Sequence, residues 1–241
     1  MSLGYLVLEI KRAVRAGRFL IFTVALPILM FIFLAGVYGN NNTDQRTALM
    51  INMTTWGAFA AALFAGARVA IERDAGWQRQ LRLTPLTGGG YLGGKGVVGM
   101  IVAVPAVVLV PLIGAIGEGV HLNAGQWAQV TVGVWLAVIP MVLLGLLLGQ
   151  YGTADSMQAI TGVLMLVLAM FGGLWVPLDA LPSVFGTIAR ILPTYWMNQI
   201  GSTAIGSSRE HLSTAVLVLL GWTVVFGVLV VRRYRQDSAR R

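Results

Sequence analysis

The sequence has no cysteine and only two histidines among its 241 residues. The lack of cysteine excludes disulfide bonds and thiolate metal sites, and two histidines are too few for a histidine-rich metal site or proton relay. Charged residues are also scarce, at 11% of the chain compared with about 25% in an ordinary soluble domain. Hydrophobic residues make up 57%, and the mean hydropathy is +0.79. A soluble fold of this length could not bury so much apolar surface, so the composition predicts an all-α polytopic membrane protein.

Acidic residues are the rarer of the two charged types, which leaves a net charge of +8. A surplus of this size in a soluble protein would indicate nucleic-acid binding. Here the basic residues flank apolar runs, as expected for residues that orient membrane helices and contact anionic lipid headgroups. The predicted partner is therefore the lipid bilayer and not nucleic acid.

Six segments have the roughly 20 mostly apolar residues that a membrane-spanning helix needs, and none carries a charge near its middle. The predicted spans are residues 19–38, 48–70, 97–117, 129–149, 157–176 and 213–231. Basic residues cluster before the first span, between the second and third spans, and after the sixth; Arg46, Arg190 and Arg209 lie elsewhere. This asymmetry predicts six spans in the plasma (inner) membrane of the cell, with both termini in the cytoplasm.

Residues 1–18 combine a helical apolar pattern with basic residues on the opposite face. The apolar positions are Leu3, Leu6, Val7, Ile10, Ala13 and Val14. Because Lys11, Arg12 and Arg15 fall on the opposite arc, we expect an amphipathic helix that lies along the cytoplasmic membrane surface. An ordinary cytoplasmic lead-in is the alternative. The first span is too long for a signal peptide and no cleavage site follows it, so we expect no removal of this segment.

Residues 89–96, GGYLGGKG, match most of the nucleotide-binding phosphate loop G-x-x-x-x-G-K-[ST]. However, Gly96 occupies the position of the Ser or Thr that binds Mg²⁺, no strand pattern precedes the glycines, and the following helix is a predicted membrane span. These departures argue against a nucleotide site. They predict a flexible connection into the third span, in which Lys95 helps to orient the chain. We predict no catalytic, cofactor-binding or metal-binding residue in this chain.

Two further classes of membrane protein receive little support from the sequence. A membrane-embedded protease needs a nucleophile and a base at membrane depth, but His121 and His211 fall in predicted outer loops and no G-x-S-x-G motif is present. Ion-coupled carriers usually have ionisable residues inside their spans, which this chain lacks near the centre of any span. Because backbone carbonyls can also bind sodium, an ion-coupled secondary exporter stays open as an alternative. A membrane scaffold with no transport activity is the other alternative.

Small residues recur at four-residue spacing in two of the predicted spans. They are Gly57, Ala61 and Ala65 in the second span, and Gly145 and Gly149 in the fourth. Such residues let membrane helices approach closely. The pattern fits either packing within the chain or an interface between subunits.

The segment ERDAGWQRQLRLTPL, residues 72–86, lies between the second and third spans. It resembles the cytoplasmic segment at the same place in ABC type-2 transporter permeases, where the pattern is roughly E-R-E-x-G-T-x-E-x-L-x-x-T-P. The matching residues are Glu72, Arg73, Gly76, Leu81, Thr84 and Pro85, with Asp74 as a conservative change. Trp77 and Arg79 depart from the pattern, because Thr and Glu are commoner at their positions.

A second resemblance to these permeases follows the fifth span, in GGLWVPLDALPSVFGTIARILPTYWMNQI, residues 172–200. The matching residues are Gly172, Gly173, Pro177, Pro182, Leu192, Pro193 and Tyr195. In the family this region lies on the outer side as short helices that dip toward the membrane. The resemblance therefore implies short re-entrant helices within residues 177–212. With the six spans and the N-terminal helix, it covers nearly the whole chain.

The resemblance implies a single permease domain over residues 1–241. This domain would pair with a second permease, identical or homologous, and with a separate ABC ATP-binding subunit that holds ATP and Mg²⁺. Residues 71–96 would be the cytoplasmic coupling segment. Its implied docking and coupling residues are Glu72, Arg73, Asp74, Gly76, Trp77, Arg79, Leu81, Arg82, Thr84 and Pro85. The chain would be a transport subunit and not an enzyme.

Aromatic and methionine side chains of the second and fifth spans are candidates for the substrate path. They are Trp56, Phe59, Phe64, Met165, Met170, Phe171 and Trp175. An uncharged path of this kind would suit export of a hydrophobic or amphipathic cargo, such as a drug, an antibiotic or a lipid-like molecule. A polysaccharide- or lipid-exporting ABC permease is the alternative within the same family.

Overall fold

The computed structural model describes residues 3–15, 17–39, 42–76, 88–175, 178, 182–208 and 210–239, and the regular structure in these ranges is entirely helical. The helices are α1 (Leu3–Arg15), α2 (Gly17–Tyr38), α3 (Thr43–Asp74), α4 (Gly88–Gly117), α5 (Ala124–Tyr151), α6 (Ala154–Phe171), α7 (Ser183–Ala189), α8 (Pro193–Ala204) and α9 (Leu212–Ala239). Helix α5 includes a π-helical turn at Gln129–Gly133. The predicted all-α class is confirmed.

Five helices in the described ranges are long and apolar enough to cross a membrane. These are α3, α4, α5, α6 and most of α9, and each coincides with one predicted span. The remaining predicted span, 19–38, falls within α2, whose apolar part Thr23–Tyr38 is shorter. The count of six spans therefore stays a prediction.

Helix α3 is the central helix, and it packs against α2, α4, α5, α6 and α8. Glycines set its closest approach to α5. A Cβ atom on Gly66 would lie 2.5 Å from the carbonyl carbon of Gly145, and one on Gly149 would lie 2.8 Å from the carbonyl oxygen of Gly66. Since no side chain fits there, the backbones are in direct contact. The small residues of the fourth span therefore pack within the chain.

The second span uses a small residue in the same way at Gly57. A Cβ atom there would lie 2.9 Å from Pro27 of α2 and 3.0 Å from Ala106 of α4. The position is thus enclosed by two neighbouring helices of the same chain, and it cannot contact another subunit.

The prediction of a flexible connection over residues 89–96 is wrong, because these residues form the first turns of α4. Glycine in a helix costs about 1 kcal/mol relative to alanine, so tertiary contacts must offset that cost. Two side chains of this segment supply them. The ring of Tyr91 stacks on that of Tyr234 in α9, with 6.2 Å between ring centroids, and Lys95 is buried against two carboxylates.

Candidate functional site

Three charged side chains from α1, α3 and α4 meet in a buried group, which we call the charge cluster: Glu9, Glu72 and Lys95. The Nζ atom of Lys95 donates to Glu9 Oε2 at 2.6 Å and to Glu72 Oε1 at 2.5 Å. Tyr91 adds a longer hydrogen bond from its hydroxyl to Glu72 Oε2, at 3.4 Å. The side chains of Glu9 and Lys95 are each 6% exposed. Burying such charges is unfavourable unless they are paired, so the cluster fixes the three helices relative to one another.

Sequence reasoning missed two of the three members of the charge cluster. Lys95 is predicted to lie in a loop, and Glu9 is absent from the predicted site. One signal in the sequence could have pointed to Glu9, because it is the single acidic residue of the strongly basic segment α1. A carboxylate beside an apolar face is costly to bury unless a basic residue pairs with it.

The next two residues of α3 hold the connection between α5 and α6. Arg73 donates from Nη1 to the carbonyl of Gly149 at 3.2 Å and also to the carbonyl of Gln150. Asp74 Oδ2 accepts a hydrogen bond from the backbone N–H of Ala154, at 2.6 Å. A cation thus lies at the carboxyl end of α5 and an anion at the amino end of α6, as the helix dipoles favour. We call these contacts the α3 clamp.

The remaining predicted coupling residues follow the α3 clamp. Gly76 has a φ angle of +72°, a left-handed conformation that favours glycine and ends the helix. Trp77, Arg79, Leu81, Arg82, Thr84 and Pro85 lie outside the described residues. Of the predicted set, the structure therefore places Glu72, Arg73 and Asp74 against neighbouring helices of the chain.

Contacts at this end of the bundle also include the C-terminal helix. The guanidinium of Arg233 lies 4.5 Å from the ring centroid of Tyr151, beside the α5–α6 connection, and Tyr234 stacks on Tyr91. Helix α1, the end of α3, the start of α4, the α5–α6 connection and the tail of α9 therefore meet. We call this the basic end of the bundle.

A cavity of about 540 Å³ lies between α2, α3 and α6. Its lining residues are Thr23, Leu26, Pro27, Trp56, Ala60, Phe64, Ala67, Arg68, Ile71, Ala154, Met157, Gln158, Thr161 and Met165. Three predicted path residues, Trp56, Phe64 and Met165, are among them. We call this space the apolar cavity, although one charged side chain, Arg68, also lines it.

The other four predicted path residues lie elsewhere. Trp175 packs edge-on against Trp56, with ring centroids 5.1 Å apart. Phe171 stacks on Phe185 of α7, with ring centroids 5.5 Å apart. Phe59 is fully buried in the core, whereas Met170 is exposed. The predicted path residues therefore do not form one continuous lining.

A second, more polar cavity of about 650 Å³ lies at the opposite end of the bundle from the charge cluster. It is lined by Ala48, Asn52, Gly172, Gly173, Leu178, Ser183, Gly186, Thr187, Arg190, Tyr195, Asn198, Gln199 and Ser207. Asn52 is one turn along α3 from Trp56. The two cavities therefore lie along the same helix, with Trp56 at the end of the apolar one nearest the polar one.

Helix α8 borders this polar cavity and is largely buried. It begins at Pro193, and the adjacent Thr194 donates to the carbonyl of Leu168 at 2.9 Å. At its other end, Gln129 of the π-helical turn donates to the carbonyl of Ile200 at 2.8 Å. Side chains thus bind carbonyls at the ends of the helices, which is required where water is excluded.

Three of the four predicted outer signature residues lie at α7 and α8. Pro182 precedes α7, and Pro193 is the first residue of α8, while Pro177 lies outside the described residues. The hydroxyl of Tyr195 donates to Glu210 Oε1 at 3.3 Å. Burial raises the pKa of Tyr195, and the negative charge of Glu210 raises it further. The phenol therefore stays neutral and able to donate this hydrogen bond.

The described residues include no group of three or more His, Asp or Glu side chains close enough to hold a metal ion. The charge cluster contains two carboxylates, but Lys95 lies between them and occupies their hydrogen-bonding oxygens. Its chemistry is therefore that of an internal ion pair. The arrangement can transmit movement between helices and hold their positions.

Comparison with known proteins shows the family to which the chain belongs. The family model described as ABC-2 type transporter matches residues 6–204, a range that runs from α1 to the end of α8. The chain is also 28% identical over 237 residues to a protein of Bacillus subtilis (strain 168) named "Putative transport permease YvfS", with 96% of each chain covered. The chain belongs to the ABC-2 type transporter family, whose members are membrane components of transporters.

Proposed function

We propose that the protein is the membrane-spanning permease subunit of an ATP-driven ABC exporter. A separate ABC ATP-binding subunit would hold ATP and Mg²⁺ and hydrolyse the ATP. Two permeases, identical or homologous, would pair in the complex. The cargo would be a hydrophobic or amphipathic molecule, such as a drug, an antibiotic or a lipid-like compound, moved out of the cytoplasm.

The observation that carries this proposal is the set of contacts at the end of α3. Glu72 connects α3 to α4 and, through Lys95, to α1. Arg73 and Asp74 connect it to α5 and α6. A displacement of the segment that follows, residues 75–87, would therefore be delivered to several helices together. Rigid-body movement of packed helices is a standard switching mode in proteins.

The walls of the apolar cavity are formed by helices that this movement would reach. Both α3 and α6 line the cavity, and the α3 clamp holds the start of α6 to the end of α3. An ATP-binding subunit docked on the coupling segment would thus act on the cavity through Asp74 and Ala154. This connection supports coupling of ATP hydrolysis to a change in cavity shape.

We further propose six membrane spans, with both termini on the cytoplasmic side of the plasma membrane. The contacts at the basic end support an even number of spans, because α1 and the tail of α9 lie together there. The burial of α8 supports its assignment, with α7, to a re-entrant segment on the outer side. The prolines at the start of each helix fit such short, separate helices.

The experiment is transport by the purified chain in proteoliposomes, with and without the ABC ATP-binding subunit encoded nearest to its gene. We expect uptake of a hydrophobic fluorescent dye into inside-out vesicles only with both subunits, ATP and Mg²⁺. The permease alone should hydrolyse no ATP above background. Uptake that needs no ATP and is abolished by a protonophore would instead identify an ion-coupled exporter, and Mg²⁺-dependent hydrolysis by the permease alone would contradict the division of roles.

A further inference from the structure

The apolar cavity is elongated along α3 and α6. Its α3 residues, from Trp56 to Ile71, recur every three or four positions, so they share one face of the helix. At a rise of about 1.5 Å per residue, this face is roughly 20 Å long. The volume of about 540 Å³ lies within the range of roughly 300–1,000 Å³ typical of small-molecule sites. The cavity thus has the shape of a site for an extended ligand.

Polar groups gather at one end of this cavity. Arg68 of α3 lies there with Gln158 of α6, both toward the basic end of the bundle. Thr161, one turn farther along α6, is buried, and its hydroxyl donates to the carbonyl of Met157. The opposite end is formed by Trp56 and Met165. The lining therefore changes along its length from cationic and hydrogen-bonding to apolar, which is the complement of an amphipathic molecule with a negative head.

The charge of Arg68 is available to a ligand. Among the residues that the structure describes, Arg68 makes no ion pair and no hydrogen bond. The acidic residues Glu9 and Glu72 share a small adjacent pocket with Arg68. Each of them is already bound to Lys95, at 2.6 and 2.5 Å.

From this arrangement we infer that the apolar cavity binds an anionic amphipath. Its negative head group pairs with the guanidinium of Arg68, which can hold a carboxylate, phosphate or sulfonate through two parallel hydrogen bonds. Its apolar body lies between α3 and α6 and extends toward Trp56. The inference rests on the proposed function in one respect, because that function makes this occupant the transported cargo.

The test uses three pyrene-labelled dodecyl probes that differ only in the head group: a sulfonate, an alcohol and a trimethylammonium. Binding to the full chain is measured in nanodiscs of phosphatidylcholine, by energy transfer from tryptophan to pyrene. We expect the sulfonate to bind at least about tenfold more tightly than the alcohol, as charge-assisted pairing with Arg68 predicts. The trimethylammonium probe should bind most weakly.

Variants then assign the preference to Arg68. Arg68→Gln should remove the preference for the sulfonate and leave binding of the alcohol unchanged, whereas Arg68→Lys should retain most of it. The matched control is Arg235→Gln, which removes the same charge from an exposed position in the tail of α9 and should change nothing. Equal binding of all three probes to the unaltered chain, or a preference that survives Arg68→Gln, would overturn the inference.

A competition experiment separates cargo from resident lipid. If phosphatidylglycerol added to the nanodiscs displaces the sulfonate, the occupant is an anionic lipid and the assignment to cargo is wrong; if the sulfonate stays bound, the assignment stands. These measurements need neither ATP nor the ATP-binding subunit. Equal binding of the three probes would therefore count against the inference and not against ATP-driven transport. A failure of ATP-driven transport would leave the binding preference measurable.

Discussion

Helices α3 and α9 are both long enough to cross a membrane, but they differ in how much of their surface other helices cover. Most of α3 is buried within the chain, whereas α9 exposes large side chains such as Leu217 and Val224 along much of its length. Helix α3 is also the least apolar of the five long helices. A helix enclosed by protein does not have to present a surface compatible with lipid, so it can carry the polar groups of the site. Helix α9 has no such freedom.

The largest loss of stability should come from removing Lys95, the cation of the charge cluster at the basic end of the bundle. Lys95→Met leaves the carboxylates of Glu9 and Glu72 without the cation that pairs with both of them, and should cost about 3–5 kcal/mol of unfolding free energy. The measurement is the apparent melting temperature of the purified chain. Arg235→Met, in the tail of α9, should leave it unchanged.

A triple variant distinguishes unpaired charge from lost packing. Adding Glu9→Gln and Glu72→Gln to Lys95→Met should recover most of the lost stability, because no buried charge is then left without a partner. If the triple variant melts as low as Lys95→Met alone, the charges do not explain the loss.

The second-largest loss of stability should follow from adding a single methyl group to the central helix, α3. Gly66→Ala places a Cβ atom 2.5 Å from the backbone of α5, and the resulting overpacking should cost about 1–3 kcal/mol. Gly221→Ala in α9 is the matched change, because no atom lies within 4 Å of its added Cβ. It should be neutral or slightly stabilising. Equal melting temperatures for the two variants would mean that the backbones of α3 and α5 are not in direct contact.

A smaller loss of stability should come from weakening one contact of the α3 clamp. Asp74→Asn weakens the hydrogen bond to the N–H of Ala154 and removes a negative charge from the amino end of α6, at a cost of about 0.5–1 kcal/mol. Asp155→Asn, an exposed acidic residue in the first turn of the same helix, should have a smaller effect. With the ATP-binding subunit present, Asp74→Asn should also reduce transport per ATP hydrolysed. Transport per ATP that is equal in the two variants would remove Asp74 from the coupling route.

The smallest change in stability should be an increase. Thr55 of α3 is fully buried, and its hydroxyl has no partner among the described residues. Thr55→Val replaces the hydroxyl with a methyl group and should raise the melting temperature slightly, because an unpaired buried hydroxyl is destabilising. Thr194→Val in α8 loses a real hydrogen bond to Leu168 and should lower it. A lower melting temperature for Thr55→Val would contradict this prediction, because it would mean that the hydroxyl makes a stabilising hydrogen bond.

Hydropathy was sufficient to predict the long helices, because each needs only a local run of apolar residues. It could not predict the charge cluster, since Glu9 and Lys95 are 86 positions apart and meet only after α1 packs against α4. The same contact explains why residues 89–96 are helical despite their glycines. Local propensity favours a loop there, and tertiary contacts of Tyr91 and Lys95 override it.

Resemblance to known permeases pointed to Glu72, Arg73 and Asp74, but only the structure gave their partners. The carbonyls of Gly149 and Gln150 are backbone groups, so no side-chain pattern in the sequence marks them as partners of Arg73. The lining of the apolar cavity was predictable in part, because Trp56 and Phe64 share one face of a helix. Arg68 shares that face, but it is not among the predicted residues of the path.

The α3 clamp also defines how the protein could be divided in engineering. Asp74 ends α3 and Gly88 begins α4, so residues 75–87 are the stretch to exchange with another permease if both helices are to keep their own residues. A graft that replaced Arg73 or Asp74 as well would have to bring its own α5–α6 connection. The boundaries of such a chimera are therefore set by two side-chain contacts and not by the limits of the sequence motif.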